Sequence, residues 1–369
     1  MPNADDPLVA VVLPPREGFG PGRTGALGLL ARRLVRTPGF RTAVIGGPQD
    51  GAIFPGVDFH AVEAPLFSIG NLNLRYAVGA ARLLRRLKPA LIEVHNRPEI
   101  ALSLTRKLPS VPVTLMLNND PREMRRARSP GDRAALIERL ALVVISSDWL
   151  RGALLEGLGA PARKPIVLPN CLDLAEVPPA VPKERLILFA GRVVAEKGPD
   201  AFVAACAQVL PRLSGWRAEI IGADRFRADS PETGFVRQIQ TSARAAGVAM
   251  LGYRDHPEVL NAMRRAAIAV VPSRWNEPFG LVALEAMACG AALISAPNGG
   301  LPEVGGDAAV YASPDDPGAL AAAIEALARD GTRRDALAEA GIARARQFDV
   351  PIVAARLAGL RRGILGAGF

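Results

Sequence analysis

Two doubly wound α/β domains in tandem are the fold class that this sequence predicts. Short apolar runs alternate with segments of helical periodicity, and the alternation occurs twice along the chain. A proline-rich stretch, Ala175–Glu184 (AEVPPAVPKE), separates the two series, because it suits neither an interior strand nor a helix. At 369 residues and 49% hydrophobic content, the chain can bury two cores of ordinary size.

The first series opens with LVAVVLPP from Leu8, whose apolar run suits a strand buried on both faces. A glycine-rich loop and a helix over 24–34 follow, then FRTAVIGG from Phe40, a helix over 75–87, ALIEVHN, VPVTLML and LALVVISS. The second series runs RLILFAGRV, a helix over 199–210, RAEIIGAD, a helix over 235–246, VAMLGY, a helix over 257–266, AIAVVPS, a helix from Leu281 closed by Gly290, and AALISAP. The Ala-rich helices over 319–346 read as surface helices, and a last helix starts at about Phe348. The expected domains are 1–175 and 176–347. No apolar run is long enough to span a bilayer, and MPNADDPLVAVVLPP lacks the basic start and long apolar core of a signal peptide, so a cytoplasmic location is expected.

Charge is unevenly placed. Residues 1–175 carry a net +8 and the remainder +1. Arg32, Arg33, Arg36 and Arg41, then Arg82, Arg85, Arg86 and Lys88, then Arg122, Arg125, Arg126 and Arg128 form three basic clusters that would attract an anionic membrane face. The alternative is a chain that writes Arg on every solvated helix face, which its five lysines favour. The basic segments match no nucleic-acid module, so nucleic acid is not an expected partner. Three cysteines, Cys171, Cys206 and Cys289, and three histidines, His60, His95 and His256, are widely spaced, which points to neither a disulfide framework nor a metal centre.

The most informative stretch is Trp275–Val304, WNEPFGLVALEAMACGAALISAPNGGLPEV. Glu277 precedes a helix, and Glu285 lies more than one turn inside it, so the two carboxylates can grip different hydroxyls of one ligand. Around Phe279, Gly280 and Leu281, the backbone N–H groups at the positive helix end suit an anion. Phosphates flanked by hydroxyl-bearing rings match this arrangement, as in a nucleotide sugar. The segment resembles the signature of the retaining glycosyltransferases of family 4, E-P-F-G-L followed by a second Glu eight positions after the first. That resemblance implies the GT-B architecture, two Rossmann-like domains facing a cleft, the first binding acceptor and the second the donor, with a C-terminal helix over 348–369 crossing back to the first.

Other residues take roles from the same resemblance. Arg192 and Lys197, in the GRVVAEKG loop after a buried strand, would clamp the donor diphosphate. Gly25, in a loop whose Gly20, Gly22 and Gly25 also match a dinucleotide pattern that lacks its ribose acid, would approach the diphosphate. His95 ends a strand beside Asn96, Arg97 and Glu99 and is better placed than most histidines to touch substrate. Asn118 stands where the family more often shows His; it can bond a sugar hydroxyl but cannot titrate. Tyr253 and Arg254 lie where the family encloses the base, and PNCLD resembles its P-N-G-V-D with Cys171 for Gly.

The function these readings predict is retaining transfer of a sugar from a UDP- or GDP-sugar to an acceptor hydroxyl, in cell-surface polysaccharide, lipopolysaccharide or glycolipid synthesis. Glu277, Arg192, Lys197 and His95 are the expected catalytic set. No Asp-x-Asp pair stands where a metal-dependent transferase would carry one, so no metal or other cofactor is expected. The competing readings are a nucleotide-sugar epimerase or phosphorylase on the same architecture and a non-catalytic scaffold.

Overall fold

The computed structural model describes residue 3 and residues 5–65, 70–160, 163–225 and 229–366. They form two compact units, Met1–Cys171 with Val350–Phe369, and Leu172–Asp349.

In the first unit, β1 (Leu8–Val12), α1 (Ala26–Leu34), β2 (Arg41–Gly46), β3 (Asp58–Ala61), α2 (Leu72–Leu87), β4 (Leu91–His95), α3 (Pro98–Lys107), β5 (Val113–Leu117), α4 (Pro130–Arg139), β6 (Leu142–Ile145), α5 (Asp148–Leu155) and β7 (Ile166–Val167) follow in order. The strands form one parallel sheet, ordered β3-β2-β1-β4-β5-β6-β7. Its direction of winding reverses between β1 and β4, the place where open α/β sheets receive ligands. Every residue of β4 and β5 is buried, as the apolar runs require when helices cover both faces.

In the second unit come β8 (Glu184–Ala190), α6 (Pro199–Val209), β9 (Arg217–Ile221), α7 (Gly234–Ala245), β10 (Val248–Met250), α8 (His256–Arg265), β11 (Ala266–Val271), α9 (Leu281–Ala288), β12 (Ala292–Ser295), α10 (Leu301–Gly305), β13 (Ala309–Tyr311), α11 (Pro317–Arg329) and α12 (Gly331–Ala345). Its sheet is parallel and ordered β10-β9-β8-β11-β12-β13, with the reversal between β8 and β11. One core packs between the sheet and α6, α7 and α11; a second lies on the other face under α8, α9 and α12.

The last helix, α13 (Val350–Gly366), belongs to the first unit. Ala358 and Ile364 pack with Val9, Phe40 and Leu91. Arg361 reaches the buried Glu93 on β4 with two bonds, Nε to Oε1 at 2.9 Å and Nη2 to Oε2 at 2.7 Å. The two chain crossings between units lie side by side: Leu172 N donates to Phe348 O at 2.9 Å, and Leu174 N to Asp349 Oδ1 at 3.2 Å. The chain therefore changes unit at Cys171–Leu172, and the stretch 175–184 lies within the second unit, leading into β8.

Three short strands, β3, β7 and β13, and the helices α3, α4, α5 and α10 go beyond the elements read from periodicity. The strands have only two to four residues each, too few to show a period. Helix α1 begins at Ala26 and not at Thr24, because Gly25 is its N-cap with extended backbone, φ −85° and ψ −176°.

Candidate donor-binding site

At the carboxyl end of β8, the loop 191–198 is fastened to the loop that follows β11. Glu196 O accepts from Arg274 N at 2.9 Å and from Trp275 N at 3.0 Å, and Arg274 holds Asp200 at the start of α6 with two bonds of 2.8 Å. This brings Lys197 onto Glu277, Nζ to Oε1 at 2.6 Å, with the ammonium 4.3 Å from the Trp275 ring centre. Arg192 pairs with Glu196. Each cation expected to clamp phosphate thus has a carboxylate beside it, which keeps the charge from standing alone in a half-buried setting.

Helix α9 begins immediately beyond. Gly280 is its N-cap, with φ +110°, and makes no side-chain cap bond, which suits this helix start to an anion. Phe279 is buried against Phe348, ring centres 5.6 Å apart, and Leu281 is the first helical residue. The turn 298–300 supports the Glu277 backbone from below. Gly300 N donates to Glu277 O at 2.6 Å, and Gly299, at φ +64°, lies so close that a Cβ would stand 2.5 Å from Glu277 N.

Glu285 is buried on α9, 6% exposed, and one of its oxygens lies 2.8 Å from His256 Nε2 at the start of α8. Asp255 and Glu258 form a reciprocal cap that holds this helix start. Tyr253 and Arg254 lie in the loop between β10 and α8; Arg254 Nη1 donates to Tyr253 O at 2.9 Å, and burial pushes the Tyr253 hydroxyl pKa up. Burial also pushes the Cys206 and Cys289 thiols up to about 12, so neither is a thiolate nucleophile near neutral pH.

Arg192, Lys197, Glu277, Phe279, Gly280 and Leu281 are therefore gathered at the ends of β8 and β11. Glu285, Tyr253 and Arg254 belong to the same unit, whereas Gly25, His95 and Asn118 belong to the other. Gly25 is the N-cap of α1, and the Glu17 carboxylate sits at this helix start, accepting from Gly28 N at 3.0 Å. Burial raises the Glu17 pKa, and the bonds from Gly28 and Gly25 and the charge of Arg97 oppose that rise. A diphosphate at Gly25 would have to displace this side chain. His95, expected to touch substrate, is a buried residue at the end of β4. Its ring is 5% exposed, Nδ1 has no partner among the described residues, and burial lowers its pKa to about 4, leaving it neutral at pH 7. Asn118, half-buried at the end of β5, donates its backbone N–H to Asn96 Oδ1 at 2.7 Å. Sequence reasoning missed Trp275, His256 and Glu17 as site residues, and for Glu17 the signal was present, an acid within the glycine-rich loop.

Two family models match the chain, one described as "Glycosyl transferases group 1" over residues 173–344 and one as "Glycosyltransferase Family 4" over residues 27–176. The chain belongs to glycosyltransferase family 4. Each model falls largely on one of the two units. The D-inositol 3-phosphate glycosyltransferase of Segniliparus rotundus is 30% identical over 269 residues, 69% of this family 4 chain and 59% of that enzyme. The chain thus spans about three-fifths of that relative's length. Among solved structures, the sucrose-phosphate synthase of Thermosynechococcus elongatus has a TM-score of 0.80 at 21% identity, covering 98% of this chain and 100% of the other. HepE of Anabaena, solved with UDP and glucose, has a TM-score of 0.74 at 19% identity, covering 95% and 98%. The fold is GT-B.

Proposed function

We propose that this family 4 chain transfers a sugar from a nucleotide-sugar donor to an acceptor hydroxyl, with retention at the anomeric carbon. The observation that carries the reading is the Lys197–Glu277 pair, held at the ends of β8 and β11 beside the N-terminus of α9. In this reading the diphosphate takes the α9 amides, Arg192 and Lys197; Glu277 turns to the donor sugar, and Glu285, steadied by His256, takes the ribose. As the anomeric C–O bond to the diphosphate breaks, the cations stabilise the departing charge. The acceptor oxygen bonds to the same carbon from the same face, and its proton passes to a departing phosphate oxygen, so no enzymic nucleophile is needed.

UDP is the proposed nucleotide, in keeping with the UDP bound by HepE. The proposed setting is the synthesis of surface polysaccharide, lipopolysaccharide or glycolipid, with the basic first unit resting on an anionic membrane face; the excess of positive charge in residues 1–175 supports this. No helix among the described residues is long and apolar enough to cross a membrane. Transfer is proposed to need no metal. The test is a thermal-shift screen with UDP and GDP, followed by UDP release from UDP-glucose. A rise in melting temperature with UDP and turnover unchanged by EDTA are expected, and indifference to every nucleotide would sink the reading.

A further inference from the structure

Helices α8 and α9 both start at the carboxyl edge of the second sheet, where open α/β sheets receive their ligands. One polar side chain from each meets the other there. His256 is the first residue of α8, Glu285 lies just over one turn into α9, and Nε2 of the first stands 2.8 Å from Oε1 of the second. Because a carboxylate only accepts, Nε2 carries the proton of this bond. The imidazole is 34% exposed and the carboxylate 8%, so the pair opens to solvent on the histidine side. Asp255 and Glu258 are committed to the cap of α8, and Arg254 lies beside Glu258, whereas His256 turns to α9.

The frame under this pair is fastened at three places. Gly222 N donates to Gly252 O at 2.9 Å, which ties the loop before α8 to the end of β9. Leu260 and Met263 of α8 pack in one core with Leu284 and Met287 of α9. At the far end of α9, Cys289 Sγ donates to Leu260 O at 3.6 Å. The imidazole therefore reaches Glu285 from a fixed base. Two physical effects follow for the carboxylate. A glutamate has a large rotamer entropy to lose when a ligand fixes it, and a side chain already held in place does not lose it in the binding step. Burying a carboxylate is also costly unless hydrogen bonds compensate, and Nε2 supplies one. Removing the Nε2 donor withdraws both effects and leaves the backbone of the two helices as it was.

We infer that His256 is a positioning residue that sets the preference of this site for ribose over deoxyribose, by holding Glu285 so that its carboxylate receives the ribose hydroxyls. The placement of ribose at Glu285 rests on the glycosyl-transfer reading; the assignment of His256 rests on the geometry of α8 and α9. The test is isothermal titration of the full chain with UDP and GDP, each beside its 2′,3′-dideoxy analogue. For the nucleotide that binds more tightly, the parent chain is expected to favour the ribose form at least about tenfold. In His256→Phe that ratio is expected to fall below about threefold, while the Kd of the dideoxy form, the internal reference for a folded chain, stays within about threefold of the parent value. His256→Gln, whose amide nitrogen can replace the imidazole donor, is expected to recover most of the ratio. Should His256→Phe fail to fold, His256→Ala is read in the same way. Glu285→Ala gives the ratio without the carboxylate. If Glu285→Ala loses the preference but His256→Phe keeps it, if His256→Phe weakens both forms equally, or if His256→Gln recovers nothing, the role of His256 is overturned and ribose stays at Glu285. A parent-like ratio in Glu285→Ala, or silence toward both nucleotides, would instead count against the transfer reading and remove this inference with it.

Discussion

Lys197 is held by two unlike partners, the Glu277 carboxylate and the Trp275 ring. The two should separate in kinetics. Lys197→Ala removes charge stabilisation of the leaving group and is expected to lower kcat/KM for UDP release about 100-fold or more. Trp275→Ala removes only a cation–π contact of ~0.5–2 kcal/mol and is expected to lower it about 2–30-fold. Equal losses in both variants would show that Trp275 does more than place the ammonium. At His95 the prediction concerns stability. The folded chain keeps the ring neutral until the pH falls toward about 4, whereas the unfolded chain takes up its proton near 6.5. Protons therefore favour unfolding as the pH drops through that window, by ~3 kcal/mol across it. Chemical denaturation at pH 7 and 4.5 should show a smaller difference for His95→Gln than for the parent chain.

Among the elements, the turn 298–300 and helix α9 act as one support for Glu277. Gly299→Ala places a Cβ against the Glu277 backbone at a positive φ, at a cost of about 1–3 kcal/mol. A lower melting temperature together with a higher KM for donor is expected, and a lower melting temperature with unchanged kinetics would detach this turn from the site. The parallel strands were legible because their apolar runs are continuous, and the Glu277–Glu285 spacing was legible because both acids fall in one segment. Lys197 with Glu277 and His256 with Glu285 were not read as pairs, since 80 and 29 residues separate them and only the sheet order brings them together. Glu17 was missed for a different reason. A glycine-rich loop before a helix reads as an empty anion seat unless the acid within the loop is weighed as its occupant.

Over the whole molecule, the Glu93–Arg361 pair joins α13 to the sheet of the first unit across 268 residues of sequence. Arg361→Met leaves a buried carboxylate without its partner, which costs about 3–5 kcal/mol. Denaturation should then show the first unit unfolding earlier while UDP-dependent protection of the second unit is retained; the double variant Glu93→Leu with Arg361→Met should recover much of the loss.

The same pair orders events during synthesis. Leu172–Asp349 is a continuous stretch and can fold as soon as it is made, but the first unit holds Glu93 without its cation until Arg361 has been translated. At ~5–20 residues per second, the 268 residues from Glu93 to Arg361 take roughly 13–54 s. For that interval the unit whose strands are made first is the one left unfinished, with the face that α13 will cover open to other chains.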